Sequence, residues 1–100
     1  MIKISITRKN EVITNINING HAGYDDYGKD IVCASVSSMV ITTINGLLRL
    51  DNNSLKYEEK DGYINIDVLK HNETIDVLIL NLVSLLEELQ NQYKDNIMIK

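Results

Sequence analysis

The N-terminal part of the chain alternates between apolar and polar side chains with a period of two, which is typical of half-buried strands. Ile2, Ile4 and Ile6 share one face of residues 2–8. Residues 12–18 continue the alternation with one irregular step, after a predicted turn at residues 8–10. Two strands joined by so short a connection form an antiparallel hairpin.

A helix is predicted for residues 31–50, where apolar residues recur at three- and four-residue steps. Asp30 precedes this segment and is a suitable N-cap, because its carboxylate can accept from main-chain N–H groups of the first turn. Gly46 lies in the helix interior, where glycine costs about 1 kcal/mol relative to alanine, and we interpret it as a close helix contact. The predicted apolar stripe consists of Val32, Val36, Met39, Val40, Thr43, Leu47 and Leu50.

A second hairpin is predicted around Asp61-Gly62, a two-residue type I′ turn signal between strands at residues 55–60 and 63–69. Within the second of these strands, apolar residues alternate with polar ones, so that one face is directed to a core. A short strand at residues 93–99 is predicted to close the chain.

A second helix is predicted from the cap residue Asn72 to about residue 92. Val77, Leu80 and Val83 lie outside its main stripe and make the helix apolar over much of its circumference. Such a helix must be covered from two sides. In so small a protein, we expect the second cover to be another subunit.

The resulting order is ββαββαβ, which predicts an α+β fold in a single domain over residues 1–100. We expect a mainly antiparallel sheet of about five strands with two helices packed on it. The length of 100 residues is sufficient for one core.

The charge and the cysteine content limit the classes of function that the chain can have. The net charge is −4, and the lysines and arginines are scattered singly, which argues against direct binding of nucleic acid. A basic partner such as a ribosomal protein tail is compatible with this charge. We expect neither a signal peptide nor a membrane helix. A single cysteine suits a reducing compartment, so a cytoplasmic protein is predicted.

The candidate chemistry is concentrated in residues 20–33, which contain the only cysteine, one of two histidines and three of five glycines. Cys33 lies in the first helical turn, where unpaired N–H groups favour a thiolate. His21 ends a strand and could meet Cys33 as a general base. The alternatives are a buried structural cysteine and a histidine without a role. His71 is interpreted as a surface residue.

Ser37 lies four residues after Cys33 and thus on the same helix face, where it could contact the thiol or a substrate carbonyl. Serines within helices more often bond their own backbone. For Asp30, the cap role is preferred over orientation of His21. The N–H groups of the helix start are the expected oxyanion donors.

Two other site types are rejected. Gly23 to Lys29 matches the spacing of a phosphate-binding loop, but Asp30 replaces the required Ser or Thr, and Asp25 and Asp26 would repel phosphate. A metal site is conceivable from loop side chains, yet one cysteine and one histidine are too few for a structural zinc site. The potential metal ligands in the loop are His21, Asp25, Asp26, Asp30 and Cys33.

Three segments of the chain form one extended motif: Gly20-His21-Ala22-Gly23, then Tyr27-Gly28-Lys29-Asp30-Ile31-Val32-Cys33-Ala34, then Val36-Ser37. Together they resemble the signature of the ribosomal-processing cysteine protease family (Prp). Ser35 departs from the pattern, because many members have alanine there. The small-for-small change is expected to have little effect on the chemistry. The chain length and the order of elements also fit the family.

The resemblance implies a bacterial endopeptidase that removes the N-terminal extension of large-subunit ribosomal protein twenty-seven. It implies a catalytic dyad of Cys33 and His21 with a thioester intermediate, supporting roles for Asp30 and Ser37, a homodimer, and no cofactor or metal. It also implies a glycine-rich loop that closes over the substrate, and the expected substrate-loop residues are Gly20, Gly23, Tyr24, Tyr27 and Gly28.

Two alternative functions are also compatible with the sequence. One is a non-catalytic, dimeric, ribosome-associated binding protein that docks its partner through the loop. The other is a thiol redox protein, which is disfavoured because the chain has no resolving cysteine.

Overall fold

The first two strands form the predicted antiparallel hairpin in the computed structural model, which describes residues 1–100. Strand β1 spans Ile2–Lys9 and β2 spans Val12–Asn19. The turn is Asn10-Glu11, later than predicted, and both residues have the positive φ angles of a type I′ turn. The irregular step is a β-bulge. Because of it, Ile13 shares the buried face with the residues further along β2.

Helix α1 spans Ile31–Leu50 with Asp30 as its N-cap, as predicted. Its buried stripe includes Ile44, which the sequence pattern missed, whereas Leu50 is 61% exposed at the helix end. The interpretation of Gly46 as a close contact is wrong, because a Cβ atom added there would meet no atom beyond its own helical turns within 4 Å.

The second half of the chain extends the sheet on both sides of the first hairpin. It contains β3 (Leu55–Lys60), β4 (Tyr63–Val68), α2 (Glu73–Gln92) and β5 (Ile97–Ile99). The strand order is β3-β4-β2-β1-β5, with β5 parallel to β1 and all other pairs antiparallel. This confirms the predicted α+β fold and its element order. Strand β5 is shorter than the predicted range of 93–99.

Both helices share one hydrophobic core with the apolar face of the sheet. On α2, Val83 is buried in this core, which corrects the expectation that it faces outward. Val77 and Leu80 are 57% and 55% exposed and remain uncovered within the chain. The apolar surface left for a partner is therefore narrower than the sequence predicted.

By length and composition, α1 could cross a membrane, contrary to the sequence-based expectation. This is weak evidence, because the core helix of a soluble protein meets the same criterion. Here Val36, Val40 and Leu47 of α1 lie in the core against the sheet.

Candidate active site

The chain leaves the sheet at Gly20, directly after β2. Its φ of +95° is in the left-handed region, and an added Cβ atom would collide with the carbonyl oxygen of Met1. The N–H of Gly20 donates to the carbonyl of Gly62 at 2.9 Å, in the turn between β3 and β4. Glycine is therefore required at this position, and the segment that follows starts beside the second hairpin.

The thiol of Cys33 is in direct contact with this segment. The main-chain N–H of Ala22 donates to Cys33 Sγ at 3.2 Å, and Ala22 itself is only 2% exposed. Cys33 is half-buried in the first turn of α1. A main-chain N–H directed at sulfur stabilises negative charge on it.

Asp30 joins the loop to the start of α1 through both carboxylate oxygens. Oδ1 accepts from the N–H groups of Val32 and Cys33 at 2.9 and 3.0 Å. Oδ2 accepts from the N–H groups of Tyr24 and Asp25 at 2.9 and 3.2 Å. Burial acts to raise the pKa of Asp30, but these four hydrogen bonds outweigh it and hold the pKa below its ordinary value. The preferred cap role is confirmed.

Asp30 occupies most of the N–H groups that were expected to serve as oxyanion donors. The N–H groups of Val32 and Cys33 are bound by the Asp30 side chain, and that of Ala34 is bound by the Asp30 carbonyl at 3.1 Å. Of the first four helical N–H groups, only that of Ile31 has no acceptor within the chain. The helix start is thus a poorer source of free donors than the sequence suggested.

The imidazole of His21 lies against the turn between β3 and β4. Its Nε2 atom is 3.7 Å from Asp61 Oδ2, and a Cβ atom at Gly62 would lie 2.9 Å from the same nitrogen. The ring of Tyr27 packs edge-on to it with centroids 6.4 Å apart. No hydrogen bond joins the imidazole to the Cys33 thiol. The sequence pattern of Asp61-Gly62 predicts only a hairpin turn and not this contact with His21.

His21 and Cys33 nevertheless line the same open cavity of about 790 Å³. Ser37 also lines it and makes no intramolecular side-chain hydrogen bond, whereas Ser35 donates to the Ile31 carbonyl. Residues 59–64 of the second hairpin line the cavity as well. The other predicted site residues that line the cavity are Gly20, Gly23, Tyr27, Gly28 and Asp30.

Tyr24 is the predicted site residue that lies elsewhere. It is absent from the cavity lining and packs edge-on against Tyr93, with ring centroids 5.4 Å apart. His71, interpreted as a surface residue, is exposed and pairs with Asp76 at 2.9 Å near the start of α2. The cavity therefore contains one thiol and one imidazole, which are the groups that nucleophilic acyl transfer needs.

Comparisons with known proteins agree with this chemistry. The family model described as cysteine protease Prp matches residues 1–98. The ribosomal processing cysteine protease Prp of Staphylococcus aureus (strain Mu50 / ATCC 700699) is 28% identical over 101 residues, covering 97% of this chain and 95% of that protein. The protein of the same description in Bacillus subtilis (strain 168) is 27% identical over 107 residues, covering 99% and 96%.

A solved structure supports the fold in detail. The crystal structure of the ribosomal processing protease Prp from S. aureus, in complex with a covalently linked product peptide, superposes with a TM-score of 0.94. The two chains are 25% identical, and the match covers 100% of this chain and 98% of that one.

Proposed function

This chain belongs to the cysteine protease Prp family, and from that membership we propose that it removes the N-terminal extension of large-subunit ribosomal protein twenty-seven. The enzyme is a cysteine protease of ribosomal processing. The observation that carries the proposal is the shared cavity of Cys33 and His21. The alternative function, a non-catalytic binding protein, is disfavoured because the family is one of proteases.

The proposed reaction is acyl transfer through Cys33. The sulfur attacks the scissile carbonyl carbon, and His21 takes the thiol proton and donates it to the leaving amine. Water then hydrolyses the thioester, with His21 as general base. In the free enzyme the imidazole contacts Asp61 instead of the thiol, so we propose that bound substrate brings the two groups together.

For the developing oxyanion, we propose the N–H of Ala22 as a donor. It is already 3.2 Å from Cys33 Sγ, whereas most N–H groups of the helix start are occupied. Ser37 is proposed to contact the substrate from the next helical turn, because its hydroxyl is free and lines the cavity. Asp30 supports the site by fixing the loop and the helix start together.

The proposed setting is a cytoplasmic, single-domain homodimer that needs no cofactor and binds no nucleic acid. The exposed side chains of Val77 and Leu80, one helical turn apart on α2, support a second copy as the cover of this surface. The net charge of −4 supports a basic ribosomal protein rather than nucleic acid as the partner.

The decisive experiment incubates the purified protein with the extended form of the ribosomal protein. We expect wild-type enzyme to shorten it, and Cys33→Ser and His21→Ala to lower the rate by at least about a hundredfold, because each removes one partner of the dyad. His71→Ala is the matched control, since His71 lies outside the cavity, and it should cleave like wild type. Equal rates for wild type and Cys33→Ser would refute the proposal. Mass spectrometry of the products gives the cleavage position.

A further inference from the structure

Asn96 reaches the active-site loop from the connection between α2 and β5. Its Nδ2 atom donates to the carbonyl of Ala22 at 3.0 Å, across 74 positions of the sequence. Ala22 is the residue whose N–H donates to Cys33 Sγ at 3.2 Å. A chain of two hydrogen bonds thus joins the amide of Asn96 to the thiol through one buried residue.

Asn96 is itself held firmly by its main chain. Its N–H donates to the Tyr93 carbonyl at 2.9 Å, and its carbonyl accepts from the Ile2 N–H at 2.9 Å, at the beginning of β1. The ring of Tyr93 supports the loop at a second point through Tyr24. The side-chain amide of Asn96 is therefore presented from a fixed position at the edge of the sheet.

The residue that Asn96 contacts is flanked by backbone of high conformational freedom. Ala22 lies between Gly20 and Gly23, which both have positive φ angles and restrict the backbone least. The Ala22 N–H points at the sulfur. An anchor on the Ala22 carbonyl limits rotation of this residue and so preserves that direction.

We propose that Asn96 is a positioning residue, which directs the Ala22 N–H at Cys33 Sγ and thereby holds the thiol ready for attack. The inference rests on the proposed role of Cys33 as the nucleophile. Asn96 acts through Ala22 and does not touch the sulfur, so its loss should affect the reactivity of the thiol more than the affinity for substrate.

The test uses Asn96→Asp, which keeps the shape of the side chain but replaces the donor by an acceptor, and Asn96→Ala, which removes the donor without adding charge. Asn91→Asp is the control, because Asn91 is exposed on α2 and makes no side-chain hydrogen bond. Iodoacetamide labels Cys33 alone, since the chain has no other cysteine. Alkylation rates are measured against pH, and kcat and KM are measured with the extended ribosomal protein.

We expect both Asn96 variants to lower kcat about tenfold and leave KM within about twofold. Without its anchor, the Ala22 N–H should no longer donate reliably to the sulfur of Cys33, and the loss of such a hydrogen bond changes reactivity on that scale. Their alkylation profiles should move to higher pH, whereas the profile of Asn91→Asp should match wild type. Folding is checked by circular dichroism and the Tm of each variant.

Folded Asn96 variants with wild-type kcat and an unmoved alkylation profile would overturn the inference, even if their Tm were lower, because the residue would then be merely structural. A different result would refute the proposed function itself. That result is undiminished cleavage by Cys33→Ser, and it does not depend on the rates of the Asn96 variants.

Discussion

At the scale of single residues, the carboxylate of Asp30 joins the active-site loop to α1 through four hydrogen bonds. One carboxylate oxygen caps α1 and the other binds two N–H groups of the loop, so the relative placement of Cys33 and the loop depends on this side chain. The charge matters as well as the shape, because a carboxylate offers two full acceptor oxygens whereas an amide offers one.

Replacement of Asp30 by Asn should therefore destabilise the fold by about 1–2 kcal/mol at neutral pH, the scale of a lost helix cap. The pKa of Asp30 is lowered in the folded state, so its contribution is fully present above the ordinary value of 3.8 and is lost as pH falls through the lower folded pKa. The stability difference between wild type and Asp30→Asn should accordingly shrink below about pH 4.

Urea unfolding at several pH values measures this difference. Asp26→Asn is the matched control, since the Asp26 carboxylate accepts no hydrogen bond within the chain and its removal should change stability little. A gap between wild type and Asp30→Asn that stays constant down to about pH 2 would contradict the assigned role of the charge.

At the scale of elements, α1 shows that local sequence signals determine where a helix begins and ends. They do not determine which elements pack against it. The Asp30 cap and the apolar stripe gave the bounds of Ile31–Leu50 correctly. The interior Gly46 nevertheless marks no close helix contact, because no other element approaches that position closely. The residue thus costs helix stability without an intramolecular packing reason.

Gly46→Ala should stabilise the protein by about 0.5–1 kcal/mol, because alanine restricts the unfolded chain and the structure leaves room for its methyl group. The measurement is the free energy of unfolding in urea. Gly20→Ala should instead lower the free energy of unfolding, since its Cβ atom would collide with Met1 and its φ is +95°. Destabilisation by Gly46→Ala would show that this face of α1 is covered by a partner.

At the scale of the whole molecule, the sheet order places the second hairpin at the cavity, and an apolar patch of α2 is left uncovered. The patch consists of Val77 and Leu80. Its exposure is consistent with the proposed homodimer, in which a second copy would remove these side chains from water.

The double variant Val77→Ser/Leu80→Ser should dissociate the dimer at micromolar concentration, because burial of such side chains contributes about 1.5–3 kcal/mol each. Sedimentation equilibrium gives the molecular mass. Leu69→Ser is the control, because Leu69 is similarly exposed, at 58%, but lies outside the patch. A wild-type protein that sediments as a monomer, or a double variant that remains dimeric, would contradict this interface.

The sequence by itself determined the elements, the α+β class and the cap of α1, because periodicity and capping act between residues close in the chain. It also located the loop of His21 and Cys33 and the family motif. Only the tertiary structure decided that β4 lies beside β2, which brings Asp61 and Gly62 to His21. It likewise decided that Asn96 reaches Ala22, since such contacts depend on strand order and no local pattern encodes it.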